Sequence, residues 1–372
     1  MLPRRRFLPA SLSAAFYSAC STNTKKAYDG YGFIATRDSG DIAVVDLAAF
    51  ALEKRIKTSA KPVQLLDLPA QSRLLSVSEA GHIDVIDPTR AEILRTASQP
   101  IHPGQLQPSF DGKLLYALSQ DRQRLLALSP DSLEPAKTWH LPAPASRFTA
   151  ASQSPAIAVA YENSPKLSLL SSPDSPQLQH ASTEDSPATN LAFLQNGAVL
   201  IALHRTERKL TLLNAPAARV MVHLPLPIEP THYCFSPDGG QLYLTGTGLD
   251  AVVIVYPFQS QVSGTMLTGK APGPMAAISS PSFLFVTSPQ TGTVSVHDIR
   301  LQKLVAVVAV GTEPRAIAFT PDNSMAIVLN QRSGDLAIIR LANIVSKRNK
   351  TAPLFTMIPV GSAPVAAVIR SL

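Results

Sequence analysis

With 372 residues, 45% of them apolar, the chain can bury a large core and is not of disordered composition. Charged residues make up only 16%, below the roughly 25% of an ordinary soluble domain, and 32 prolines favour many short elements joined by turns. The net charge of +7 includes Arg4, Arg5 and Arg6, and the remaining basic residues are scattered apart from Lys347, Arg348 and Lys350. No basic stripe of the nucleic-acid-binding kind results, so no nucleic acid is expected as a partner.

Residues 1–20 (MLPRRRFLPASLSAAFYSAC) run from basic residues through a weakly apolar stretch, Phe7 to Ala19, to small residues. That is the order of an export signal, and the stretch is shorter than the ~20 residues a spanning helix needs. Arg4-Arg5-Arg6-Phe7-Leu8 resembles a twin-arginine signal; a general secretory signal is the other reading. Cys20 stands where a bacterial lipoprotein carries its acylated cysteine, against plain cleavage nearby. The expected protein is therefore an exported bacterial one, periplasmic or lipid-anchored, with residues 21–30 as a short linker. Cys234 is the other cysteine and no CxxC occurs, so neither a disulfide framework nor a cysteine-ligated metal is expected.

From residue 31 a unit of about 42 residues repeats. Gly32–Ala35 and Ile42–Asp46 are two short apolar runs with no preceding partner. Pro62 then opens a unit with Leu74–Val77 and Ile83–Asp87, and Pro103 one with Leu114–Tyr116. Residues 144–186 and 187–229 keep the rhythm in degenerate form, through Ala156–Ala160, Leu167–Leu170, Ala198–Ala202 and Leu210–Asn214. Pro230, Pro274 and Pro314 open clearer units, and Pro364–Ile369 is a first run with nothing after it. Short, turn-bounded apolar runs are strands, and proline suits the first residue of one. Asp46, Asp87, Asn214 and Asp298 each close a third strand, where they can accept N–H bonds from the turn that follows.

Pro230, Ser236-Pro237-Asp238-Gly239, Leu242-Tyr243 and, in another unit, Val85-Ile86-Asp87 resemble the YVTN family of β-propeller repeats. The resemblance spans residues 31–372 and implies an all-β fold, a single β-propeller of four-stranded blades. It is specific for fold and poor for function, and residues 144–229 depart from it by lacking the Ser-Pro-Asp-Gly turn. Unit starts at 62, 103, 144, 187, 230, 274, 314 and 364 count eight blades, whereas family members are commonly seven-bladed. The unmatched ends complement one another, so a composite blade of the N- and C-terminal segments should close the ring, with Val365, Val368 and Ile369 buried.

In such a ring the first strand of each blade is innermost. Gln64, Gln105, Arg147, Asn190, His232 and Arg315 then surround the channel mouth, a set able to bind a polar or anionic ligand or simply to line a channel. No HExxH, HxH, Gly-x-Ser-x-Gly or phosphate loop occurs, so no metal, cofactor or catalytic residue is assigned. The expected function is a monomeric binding scaffold for a protein or a small polar ligand, touching a membrane only through a lipid at Cys20. Two alternatives stand beside it. Resemblance to propeller lactonases implies hydrolysis in the channel, with Glu229 and His232 near one mouth. Eight blades also resemble haem-binding nitrite reductases, implying an accessory chain of a periplasmic redox system.

Overall fold

The computed structural model describes residues 28–97, 100–175, 178–184, 186–194, 197–345 and 352–371. The export segment, Cys20 and most of the linker lie outside the described residues. Eight four-stranded antiparallel sheets form a ring, an eight-bladed β-propeller. Among the described residues, helix is confined to Leu341–Val345 and two single 3-10 turns. Blades are numbered I to VIII here, beginning with the composite one.

Blade I takes its inner strand, Pro364–Arg370, from the C-terminus and its other three, Tyr31–Thr36, Asp41–Asp46 and Ala51–Lys57, from the start of the described chain. Val368 pairs with Phe33 and Ile369 with Gly32, so hydrogen bonds rather than a covalent link close the ring. The inner strands of blades II to VIII are Pro62–Leu68, Ile101–Pro108, Ala145–Ala150, Asn190–Phe193, Glu229–Phe235, Met275–Ile278 and Pro314–Phe319. Each begins within about three residues of the start read from the repeat. In blade III the strand starts at Ile101, ahead of Pro103, and an irregular stretch separates the pairs Ile101–Ser119 and Leu106–Ala117. The degenerate units, blades IV and V, are complete four-stranded sheets.

Among the described residues the core is divided rather than central. Eight apolar clusters are each shared by two neighbouring blades. The cause is the two-residue period of a strand: Phe33 and Ala35 point to blade II, whereas Ile34 between them points to blade VIII. A single blade therefore buries neither face until both neighbours are in place. Outer edges are blunted by a register shift between third and fourth strands in every blade but IV.

Val365, Val368 and Ile369 are only half-buried, contrary to expectation. An innermost strand has the channel beside it, so its side chains cannot be enclosed on every side. Val365 and Val368 still pack on the cluster shared with blade II, and Ile369 on the one shared with blade VIII. The turn-closing residues do as their position predicts. Asp46 accepts N–H bonds from Ala48 and Ala49, Asp87 from Thr89 and Arg90, Asn214 from Ala217, and Asp298 from Arg300 and Leu301.

Candidate functional site: the channel mouth

Four of the six mouth candidates share one place in the blade. Gln64 pairs with Val77, Arg147 with Ala160, Asn190 with Leu203 and His232 with Thr245, each partner lying one residue before the end of its blade's second strand, or two in blade VI. Blades VIII and I put Ala316 and Ala366 at that register. Arg315 lies one residue earlier, in the shift between Pro314 and Ala316. The shift re-aims its side chain.

The six do not do the same thing. Gln64 donates Nε2–H to the carbonyl of Leu106 at 2.7 Å and accepts the Leu106 N–H at 3.2 Å, clamping blade II to blade III. Gln105 repeats the clamp one blade on, to Ser146 O and Phe148 N, both at 3.2 Å. Gln107 adds a third, to Phe148 O and Ala150 N. On the flank of blades II to IV, then, glutamine amides stitch inner strands side by side. Sequence position alone could not separate a clamp from a ligand group, because both sit at the start of an inner strand.

The charged members behave differently. The imidazole of His232 is held below its usual pKa first by burial and second by the positive charge of Arg315, so it is neutral at neutral pH. The Tyr233 hydroxyl is pushed up by burial, and the charge of Arg147 opposes that shift. Tyr233 Oη also donates to the carbonyl of Leu191 in blade V at 3.1 Å. Arg315 of blade VIII thus lies near enough to His232, and Arg147 of blade IV to Tyr233, for each charge to be felt there. Arg147 has no ion-pair partner among the described residues, whereas Arg315 is bidentate to Glu313 Oε1, at 2.6 and 3.1 Å. Glu229, near the same mouth, faces Arg208 at 3.3 Å and Arg205 at 3.8 Å.

The inner strands differ in character. Blades VI, VIII and I carry half-buried Phe235, Ile317, Phe319 and Val365, which also pack on the clusters between blades, while blades II to IV carry half-buried Asp67, Gln107 and Ser146. Cys234, beside Phe235, has a thiol pushed up to about 11 by burial, so it is the protonated, unreactive form at neutral pH. Gln107 was missed in the sequence because it lies four residues after its opening Pro103, and Tyr233, three after Pro230, because it reads as part of an apolar run with Cys234 and Phe235. Among the described residues no three His, Cys, Asp or Glu side chains gather as a metal site would require. His204 and His223 are instead joined through Thr211 Oγ1, at 3.1 and 2.9 Å, within blade V.

No protein-family model matches the chain, and no curated protein matches it. Solved structures do. The dihydro-heme d1 dehydrogenase NirN, in complex with DHE, is similar over 91% of this chain and 75% of its own, at 11% identity and TM-score 0.75. A eukaryotic initiation factor is similar over 92% and 98%, at 12% identity and TM-score 0.63. The propeller domain of Cps50 (Swd1) from Myceliophteria thermophila is similar over 75% and 97%, at 12% identity and TM-score 0.57. Likeness at such identity concerns fold and carries no activity with it. What these neighbours share with this chain is the propeller itself.

Proposed function

We propose that this propeller is an exported binding protein whose channel mouth takes a ligand with anionic groups on one side and an apolar body. The observation that supports this most is Arg147, a guanidinium with no ion-pair partner among the described residues, on an inner strand like neutral His232 and Arg315, where the inner strands of blades VI, VIII and I also carry half-buried apolar side chains. Export rests on the sequence of residues 1–20, and a lipid anchor on Cys20. Calorimetric titration with benzene-1,3,5-tricarboxylate tests the site. Binding should weaken at least about tenfold in Arg147→Ala with Arg315→Ala, roughly the loss of one charge-assisted hydrogen bond. Equal affinity in both proteins would overturn the reading. Replacing Arg4, Arg5 and Arg6 by Lys, with fractionation of cells, tests the twin-arginine route.

The likeness to NirN favours a second reading, that the ligand is a haem-type tetrapyrrole. The residues fit such a group in kind: His232 makes no hydrogen bond among the described residues and is neutral, and two arginines suit peripheral carboxylates. Bound there, such a group would supply redox chemistry; His232 would hold its metal, and Arg147 and Arg315 would hold its carboxylates. Haemin added to the purified protein should give a shifted Soret band that is lost in His232→Ala. A spectrum identical to that of free haemin would exclude the reading.

A further inference from the structure

A second cleft, of about 800 Å³, opens where the ring closes, between blades VIII and I. Its walls come from the two ends of the described chain. Arg37 and Arg55 belong to blade I, and Arg332 to the loop between the second and third strands of blade VIII. Arg37 is bound to Asp38 at 2.9 Å, and Arg55 Nη1 to Asp41 at 3.0 and 3.3 Å. Arg332 is exposed and has no ion pair among the described residues. Glu313, the remaining acid on the wall, is engaged by Arg315. The cleft's own carboxylates are therefore occupied, while one guanidinium and the outer N–H groups of another stay available.

The backbone is shaped to keep Arg55 in place. Gly361 has φ +118°, and a Cβ there would stand 2.8 Å from Ser39 Oγ and 2.9 Å from Arg55 Nη1. Only glycine lets the guanidinium lie against the connector that leads into the closing strand. Ser362 N–H donates to the same Ser39 Oγ at 2.8 Å, and Arg37 N–H to Ala363 O at 2.9 Å. Arg55 is thus held over the connector, with Arg332 on the facing blade.

We infer that this cleft is a binding site for a small polyanion bearing phosphate or carboxylate groups, bridging Arg332 of blade VIII to Arg55 and Arg37 of blade I. It touches the channel-mouth residues only through the Glu313–Arg315 pair and does not rest on the reading given for that site. Because a bridging anion binds only the closed ring, it stabilises closure by mass action. Inorganic pyrophosphate and citrate represent the two sources of the chemistry.

The full chain is melted with each probe at an ionic strength matched by sodium chloride, so that general screening is equal. At least one probe should raise the melting temperature of the wild type saturably, by a few degrees. The rise should vanish in Arg332→Ala, whose exposed, unpaired side chain can be removed without harm to the fold. It should persist in Arg147→Ala, which alters only the channel mouth. The effective probe tells whether phosphate or carboxylate is recognised. No shift with either probe, a shift that survives in Arg332→Ala, or one lost in Arg147→Ala would overturn the inference.

Discussion

Arg370 donates from Nη1 to Asp67 Oδ1 at 2.9 Å, joining the inner strand of blade I to that of blade II across 303 positions of sequence. Both side chains are largely sheltered, with 18% and 27% of their surface exposed. The glutamines of blades II and III do the same work with neutral amides. Inner strands of adjacent blades are too far apart to form a continuous sheet, so long side chains span the gap.

Arg370→Ala should lower stability by about 1–3 kcal/mol, because it leaves a sheltered carboxylate without its partner. Asp67→Asn alone should cost less, since the amide keeps an acceptor for the guanidinium. A double-mutant cycle by urea denaturation should give a coupling of at least about 0.5 kcal/mol. A coupling indistinguishable from zero would mean that the contact contributes only shape.

The glutamine clamps and the charged mouth residues should separate cleanly. Gln64→Ala strands the N–H and C=O of Leu106 at a seam, at a cost of about 1–3 kcal/mol. It should leave titration by benzene-1,3,5-tricarboxylate unchanged. Arg315→Ala should do the reverse: weaken that titration with little effect on the urea midpoint. If Gln64→Ala abolished binding while keeping full stability, Gln64 would be a ligand residue.

This division marks how far the sequence could be read. Strand starts, blade count and the composite blade were legible because period-two runs and opening prolines recur about every 42 residues. The pattern also placed Gln64 and Arg147 at equivalent positions, correctly. It could not tell which side chain turns sideways to a neighbouring blade, since that depends on the gap between strands of different sheets. The cleft of Arg37, Arg55 and Arg332 was invisible for a related reason. Its residues come together only when the ring closes: Arg37 and Arg332 lie in the same second-to-third-strand loop of neighbouring blades, but Arg55 comes from a fourth strand. Half-burial of Val365, Val368 and Ile369 was missed because apolar character signals a strand, not the channel beside it.

Stability should fall on acidification. His297 is fully buried, its Nδ1 has no hydrogen-bond partner, and burial lowers its pKa from 6.5 to about 4. His204 and His232 are lowered in the same direction, also chiefly by burial. The unfolded chain takes up protons near pH 6.5 while the folded chain resists until far lower. The stabilisation is complete above pH 6.5 and is lost as pH falls towards 4. His297 alone should account for about 2 kcal/mol by pH 5. Urea midpoints at pH 7.5 and 5 measure the loss, and His297→Gln should shrink it. An unchanged pH dependence in that variant would show that other groups govern it.

The strongest expectation concerns closure. Deleting residues 362–372 removes the inner strand of blade I together with the Arg370–Asp67 pair. Every hydrogen bond between Pro364–Arg370 and Tyr31–Thr36 goes with it, leaving Tyr31–Thr36 as a bare edge. Val365, Val368 and Ile369 leave two apolar clusters at once, on opposite faces of the blade. Even half-buried, each contributes about 1 kcal/mol, and the lost ladder and ion pair bring the sum close to the 5–15 kcal/mol that holds a domain folded. The truncated chain should therefore be insoluble or oligomeric by size-exclusion chromatography, and should melt far below the parent where any monomer is recovered. Supplying residues 359–372 as a separate peptide should restore part of the melting temperature, because the strand is held by pairing and packing rather than by its covalent link to blade VIII. A truncated protein as monomeric and heat-stable as the parent would mean that blade I stands on three strands, and that the ring is held closed by its seams alone.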